Sequence, residues 1–189
     1  QDIALIPAAS YGIATAAQNL PVKAGQRIVV LRDQYPNNVL PWVQKRVRDG
    51  AELIFVDRPE DDDLTSSILE AIDEQTAIAA LPHCFWADGT LIDLVAVGRR
   101  CREVGVALVV DATQSVGALP FDVTEIRPDF LVVAGYKWLL CPYTLGFLYV
   151  APERQDGVPL EHSWRDDMVE RWGVDWHDGH LDYPETWQP

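Results

Sequence analysis

Cysteine is scarce in this sequence and badly spaced for structural chemistry. The three present, Cys84, Cys101 and Cys141, are far apart and odd in number. They form neither a metal knuckle nor a disulfide framework. A reducing, cytoplasmic setting is expected, with each thiol a small core or loop residue rather than a nucleophile. Basic side chains are also outnumbered, 15 Lys and Arg against 29 Asp and Glu, for a formal charge of -14. So acidic a surface repels phosphate backbones, and no nucleic acid partner is expected. Long apolar runs are missing. The longest, such as Phe130 to Ala134 and Phe147 to Ala151, are strand-sized, so no membrane-spanning segment is expected. No basic-then-apolar leader opens the chain, and no secretory signal is expected. There is no Walker or dinucleotide glycine fingerprint, no internal repeat and no low-complexity tract. Both ends are abrupt: Gln1 to Ile6 runs straight into an apolar strand pattern. The expectation is a piece of a longer protein, or a shortened one.

What is present is an alternation of strand and helix patterns. With 189 residues, 48% of them hydrophobic, one domain can bury a sizeable core. Strands are predicted at Ile3 to Pro7, Arg27 to Leu31, Glu52 to Val56, Ala77 to Leu81, Val106 to Val110, Phe130 to Ala134 and Phe147 to Val150. Helices are predicted at Tyr11 to Asn19, Asn38 to Asp49, Leu64 to Glu74, and from Asp93, as cap, to Glu103. Pro41 is tolerated in a first turn, and Gly50 and Gly105 are helix stops. This is the pattern of an α/β fold, a mostly parallel seven-stranded sheet covered by helices. The last two strands are joined by only about a dozen residues, short for a helical crossover, so the final strand is predicted antiparallel.

Open parallel sheets bind ligands beyond the carboxyl ends of their strands. Three elements fall at such ends. The turn Ala8-Ala9-Ser10-Tyr11-Gly12 opens a helix, whose free N–H groups and positive dipole end suit a phosphate, with Gly12 allowing close approach. A plain N-cap serine is the simpler alternative there. Asp111 ends a buried strand, where a carboxylate is costly without a partner. A protonated ring nitrogen is one such partner, and backbone amides are the other. Lys137 follows an apolar run in Gly135-Tyr136-Lys137-Trp138. Either its stem lies on apolar surface with the amine in solvent, or the amine is a nucleophile toward an aldehyde. A lysine and an aspartate facing one crevice are the two groups that hold an aldehyde cofactor and keep its ring nitrogen protonated.

These residues resemble the aminotransferase class V family of enzymes dependent on pyridoxal 5'-phosphate (PLP). That group includes cysteine desulfurases, selenocysteine lyases and isopenicillin N epimerases. The resemblance runs from Ser10 to about Glu153. It is carried by Val109-Val110-Asp111-Ala112-Thr113-Gln114-Ser115-Val116-Gly117, Pro128-Asp129-Phe130, Gly135-Tyr136-Lys137-Trp138-Leu139-Leu140 and Leu145-Gly146-Phe147-Leu148-Tyr149-Val150. It implies the large domain of PLP fold type I, with one antiparallel strand and helices on both faces. It also implies a Lys137 Schiff base and a quinonoid intermediate, leading to transamination, elimination or epimerisation of an amino acid or amine. By the same resemblance Asp111 pairs with the pyridine nitrogen, and Gln114 bonds the phenolic oxygen. Ser10 and Tyr11 sit at the phosphate, and Tyr35 of Asp33-Gln34-Tyr35-Pro36-Asn37-Asn38 stacks on the ring. Tyr136 stands where histidine is common, and can donate through its hydroxyl.

Other positions depart from the family. Ala134 replaces a serine or threonine, Cys141 and Thr144 replace glycine, and Trp86 replaces an asparagine near the substrate. Trp86 is therefore the candidate substrate residue, an apolar wall that argues against plain desulfuration. Residues 1–153 correspond to the PLP-binding domain. Residues 154–189 are expected to be an irregular Trp-, Asp- and His-rich segment leading to a small domain that this chain lacks. The family assembles its site across a homodimer. The competing reading is a truncated domain that folds and binds without turnover. A metal site from His162, His177 and His180 is set aside, because no cysteine partners or helical spacing accompany them.

Overall fold

The computed structural model describes residues 2–161 and the backbone of 175–177 and 180–182. Seven strands form one sheet: β1 (Ile3–Ile6), β2 (Arg27–Leu31), β3 (Glu52–Val56), β4 (Thr76–Pro82), β5 (Ala107–Asp111), β6 (Phe130–Ala134) and β7 (Gly146–Val150). Their spatial order is β1-β7-β6-β5-β4-β2-β3. β7 runs antiparallel to both its neighbours, and every other pairing is parallel. The short β6–β7 connection therefore does reverse the chain. Six strands end at one edge of the sheet, and Asp111 lies there.

The central strands read as continuous apolar runs because both faces are covered. Val29, Leu31, Leu81, Leu108, Val110 and Val133 pack under α3 (Leu64–Ala71) and α4 (Leu94–Val104). Their alternates Ile28, Val30, Ile78, Val109 and Val132 pack under α1 (Ala9–Asn19) and α2 (Leu40–Asp49). Each fully buried large aliphatic side chain contributes about 1.5–3 kcal/mol. Asp63 and Asp93 cap α3 and α4 by accepting from Ser66 N and Ala96 N. Gly50 and Gly105 close α2 and α4 in the left-handed conformation.

Three helix boundaries differ from expectation by more than one residue. α3 stops at Ala71 rather than Glu74. Asp73 draws the Gln75 and Thr76 amides into a local turn, and Arg100 donates to Ile72 O, both of which compete with helical bonding. α1 starts at Ala9, so Ser10 lies inside the helix, and the N-cap is Ala8, without a side-chain bond. α2 starts at Leu40, and Pro36–Asn38 forms a separate 3-10 turn. A single-turn helix, α5 (Val123–Ile126), capped by Asp122, is too short for periodicity to reveal.

The chain divides into two compact units, residues 1–158 and 159–189. In the second, β8 (Asp175–His177) and β9 (His180–Asp182) pair antiparallel, with His177 opposite His180. This segment, read from the sequence as irregular, thus carries a short strand pair. His162, Trp164, Trp172 and Trp187 lie outside the described residues. Among the described residues, no helix is long and apolar enough to cross a membrane. No group of three His, Cys, Asp or Glu among them is placed to hold a metal ion.

Candidate active site

β5 is buried throughout and delivers Asp111 to the sheet edge with 9% of its surface exposed. Its Oδ1 accepts from Thr113 N at 3.0 Å. Thr113 Oγ1 in turn accepts from Ala134 N at 2.9 Å, tying the end of β5 to the end of β6. Burial pushes the Asp111 carboxyl up from its ordinary value, while hydrogen bonding from Thr113 and the charge of Lys137 pull it back. A carboxylate so placed gains from any cationic donor that reaches it.

Lys137 arrives from the neighbouring strand. β6 ends at Ala134, and Gly135 makes the turn. A Cβ on Gly135 would lie 2.8 Å from Leu145 O and 2.9 Å from Cys141 Cβ, so only glycine fits. The Lys137 ammonium sits 5.9 Å from the centre of the Tyr35 ring. Tyr35 meets Trp86 edge to face, with ring centres 5.7 Å apart. Trp86 Nε1 donates to Asp33 O at 2.7 Å, which pins the loop that carries Tyr35.

One pocket gathers Asp111, Gln114, Lys137, Tyr35, Tyr136 and Trp86. Burial raises the Tyr136 phenol above its ordinary value, with Tyr35, Tyr143 and Asp111 adding to the effect. Ser10 and Tyr11 do not line the pocket; Ala9, the first residue of α1, does. Gly12 lies where α1 meets the sheet. A Cβ there would lie 2.7 Å from Val132 Cγ2, so the glycine lets α1 approach β6 closely.

Three further residues of the site were not singled out from the sequence for roles of their own. Thr113 is the link just described. Gln34 is buried, accepts from Leu31 N, and donates to Asn38 O and Ala80 O, fastening the Tyr35 loop to β4. Asn38 is fully buried and accepts from Trp42 Nε1 at 3.3 Å. Indole nitrogen only donates, so the amide oxygen must face it. That leaves Asn38 Nδ2 as a buried donor without a protein partner, on a residue that lines the pocket. Their one signal in the sequence is polarity in otherwise apolar surroundings.

The residues fit an aldehyde cofactor with a basic ring nitrogen. Asp111 is a buried anion in want of a cationic donor, Lys137 is an amine in the same pocket, and Asn38 offers a free buried donor. The α1 N-terminus opens at the pocket and supplies the dipole an anionic group prefers.

Residues 1–170 match the family model described as "Aminotransferase class-V". This chain belongs to the aminotransferase class-V family. Members of this family use PLP. A probable cysteine desulfurase of Methanothermobacter thermautotrophicus is 34% identical over 147 residues, which cover 77% of this chain and 36% of that protein. Isopenicillin N epimerase of Streptomyces clavuligerus is 28% identical over 167 residues, covering 86% and 42%. Among solved structures, apo cysteine desulfurase from Thermococcus onnurineus NA1 superposes with a TM-score of 0.76 at 26% identity, covering 82% of this chain and 39% of that one. The chain thus spans about two fifths of such relatives.

The Lys137 loop carries two left-handed residues that are not glycine, Leu140 at φ 54° and Thr144 at φ 70°. At the second, the backbone has a conformation suited to glycine. A left-handed β-branched residue costs roughly 1–2 kcal/mol, of which glycine's extra unfolded freedom returns about 0.4–1. Thr144 is exposed and packs against little. Thr144→Gly is therefore expected to stabilise the chain by about 0.5–1 kcal/mol, read as a higher urea midpoint at unchanged slope.

Proposed function

We propose that this chain is the cofactor-binding part of a PLP-dependent enzyme, a transferase or lyase acting on an amino acid or amine. The observation that carries the reading is the meeting of Asp111 and Lys137 in one pocket, the carboxylate buried and lacking a strong cationic bond. The cofactor, when bound, supplies an electron sink for a carbanion next to the substrate nitrogen. Asp111 holds the ring nitrogen protonated. Lys137 Nζ would hold the cofactor's aldehyde group and is the amine placed to move the substrate's α proton. Gln114 would hold the phenolic oxygen by donating to it, and Tyr35 would pack against the ring. The α1 N-terminus, which reaches the pocket at Ala9, would receive the phosphate, with Ser10 and Tyr11 beside it in the first turn of the helix. Tyr136 donates through its hydroxyl, and Trp86 walls the substrate side. Transfer, elimination or epimerisation then depends on which pocket group meets the substrate next.

The reading includes a cytoplasmic homodimer. Supporting it are three free thiols and the exposure of Ile3 and Leu5 on the edge strand β1. The test is a titration of the folded chain with PLP. A saturable visible absorbance band that borohydride bleaches is the expected result. A folded, cofactor-saturated sample with no band would defeat the reading.

A second reading, binding without turnover, is favoured by the 36–42% of its relatives' length that the chain spans. It predicts that amino acids release no keto acid from this chain alone. Keto-acid release would count against it.

A further inference from the structure

Three loops leave the carboxyl ends of the neighbouring strands β3, β2 and β4, and one side chain outside the pocket ties two of them together. Arg58, just beyond β3, is not among the residues that line the pocket. Its Nη1 donates to Asp62 Oδ1 at 2.6 Å. Its Nη2 donates to the Asp88 carboxylate and, at 2.9 Å, to Thr90 Oγ1, both on the loop after β4. The guanidinium also stands 5.6 Å from the centre of the Phe85 ring, within reach of a cation–π contact. That loop is tightly closed: Phe85 N donates to Thr90 O at 2.8 Å and Gly89 N to Phe85 O at 2.9 Å. Between those contacts it carries Trp86, whose bond to Asp33 O and edge-to-face contact with Tyr35 reach the loop after β2. An isolated exposed ion pair contributes little. A planar guanidinium with three acceptors is a different case, since one ordered side chain serves several charged bonds. Without it Asp62 and Asp88, gathered around one cation, would be left as like charges close together.

We infer that Arg58 is a positioning residue for the cofactor site, acting through the Trp86 loop on Tyr35. This rests on the reading under Proposed function, in which Tyr35 packs against the cofactor ring. The path runs from Arg58 to Asp88 and Thr90, along the loop to Trp86, and from Trp86 to Asp33 O and the Tyr35 ring. Every link is a bond or ring contact within residues 33–90. Apparent affinity for a ligand falls with the fraction of molecules that hold the competent arrangement. A looser Trp86 loop therefore shows as weaker cofactor binding, although Arg58 does not line the pocket.

The test compares Arg58→Ala, Trp86→Leu and the double variant. PLP titration is expected to show binding about three- to tenfold weaker in Arg58→Ala than in the parent. Where Trp86→Leu is already present, Arg58→Ala should add no further loss, because the path is already cut. A merely structural role would give the same loss in both backgrounds. Asp88→Asn removes the ion pair but keeps an oxygen for Thr90 N, so it should weaken binding in the same way, and it carries the test if Arg58→Ala fails to fold. Hydrogen exchange of the cofactor-free chain is the second readout. Arg58→Ala should speed exchange at Phe85, Gly89 and Thr90 and, through Trp86, at Asn38, whose N–H donates to Tyr35 O. Amides of β5 should stay unchanged. PLP affinity equal to the parent's overturns the inference, as does an equal loss with and without Trp86, or unchanged exchange at Asn38. Absence of a cofactor band in the parent defeats the proposed function instead, and exchange at Asn38, with and without Trp86, then still tests the path.

Discussion

Borohydride treatment of the chain with PLP is expected to leave one phosphopyridoxyl group, the cofactor less water plus two hydrogens, on a single peptide, the one containing Lys137. The sequence holds three lysines, so the assignment is sharp. Lys45 is buried between α1 and α2, donating to Ala17 O at 3.1 Å and paired with Asp49 at 3.0 Å. Labelling it would require breaking that pair, which costs about 3–5 kcal/mol when a buried charge is left alone. Lys23 is exposed in the turn before β2, and the pocket it lines offers the exposed carboxylate of Glu74 beside Arg154 rather than a buried anion to retain a ring nitrogen. Lys137 has both access and a partner. Lys137→Ala should therefore abolish the adduct rather than weaken it. Lys137→Arg should do the same, because a guanidinium cannot be deprotonated in a protein to attack an aldehyde. Neither change should unfold the chain, since the side chain is only half-buried and makes no ion pair among the described residues. Circular dichroism of both variants is the control. Mass spectrometry that finds the label on Lys23 or the N-terminus, with Lys137 unmodified, would refute the assignment.

The core of this arrangement is legible without coordinates because its signals are local. Buried parallel strands must be apolar along their whole length, so β2, β5 and β6 show as unbroken runs with their functional residues at or just beyond the ends. Gly50 and Gly105 mark helix ends because the left-handed turn there excludes most side chains. Long-range dependences are what stayed hidden. Gln34 reaches 46 residues along the chain to Ala80 O, and Thr113 reaches 21 residues to Ala134 N. No spacing rule links such pairs. Ser10 was misplaced for a related reason. It has the chemistry of a cap, but the extended residue that starts α1 is Ala8, and what fixes that start is packing: Ala9, Gly12 and Ile13 seat the helix on the sheet. Gly12 shows the same ambiguity. Small size permits close approach, and only the three-dimensional neighbours reveal that Val132 is what comes close.

Asp111→Asn should move stability and cofactor affinity in opposite directions. In the folded chain burial raises the Asp111 carboxyl above its unfolded value, despite Thr113 and Lys137. Between the unfolded value, about 4, and the raised folded value, the folded state binds the extra proton, so stability falls as pH rises through that window. Above it the penalty for burying the anion is fully present. Asparagine carries no charge and its carbonyl oxygen still accepts from Thr113 N. The cofactor-free variant should therefore unfold at a higher temperature than the parent at pH 7, and the gap should close below about pH 4, where both side chains are neutral. Cofactor binding reverses the order. The parent gains a charged hydrogen bond to the ring nitrogen, about 1.5–3 kcal/mol, which the variant lacks. PLP affinity should drop by about one to two powers of ten. At saturating cofactor the parent gains the extra ligand stabilisation that follows from its lower dissociation constant. Melting curves at pH 4 and pH 7, with and without PLP, separate these effects. A variant less stable than the parent by the same margin at both pH values without cofactor would show that Asp111 is a structural anchor. Its tolerance of burial would then have to come from the protein alone, and the pocket would lose its reason to hold a protonated ring.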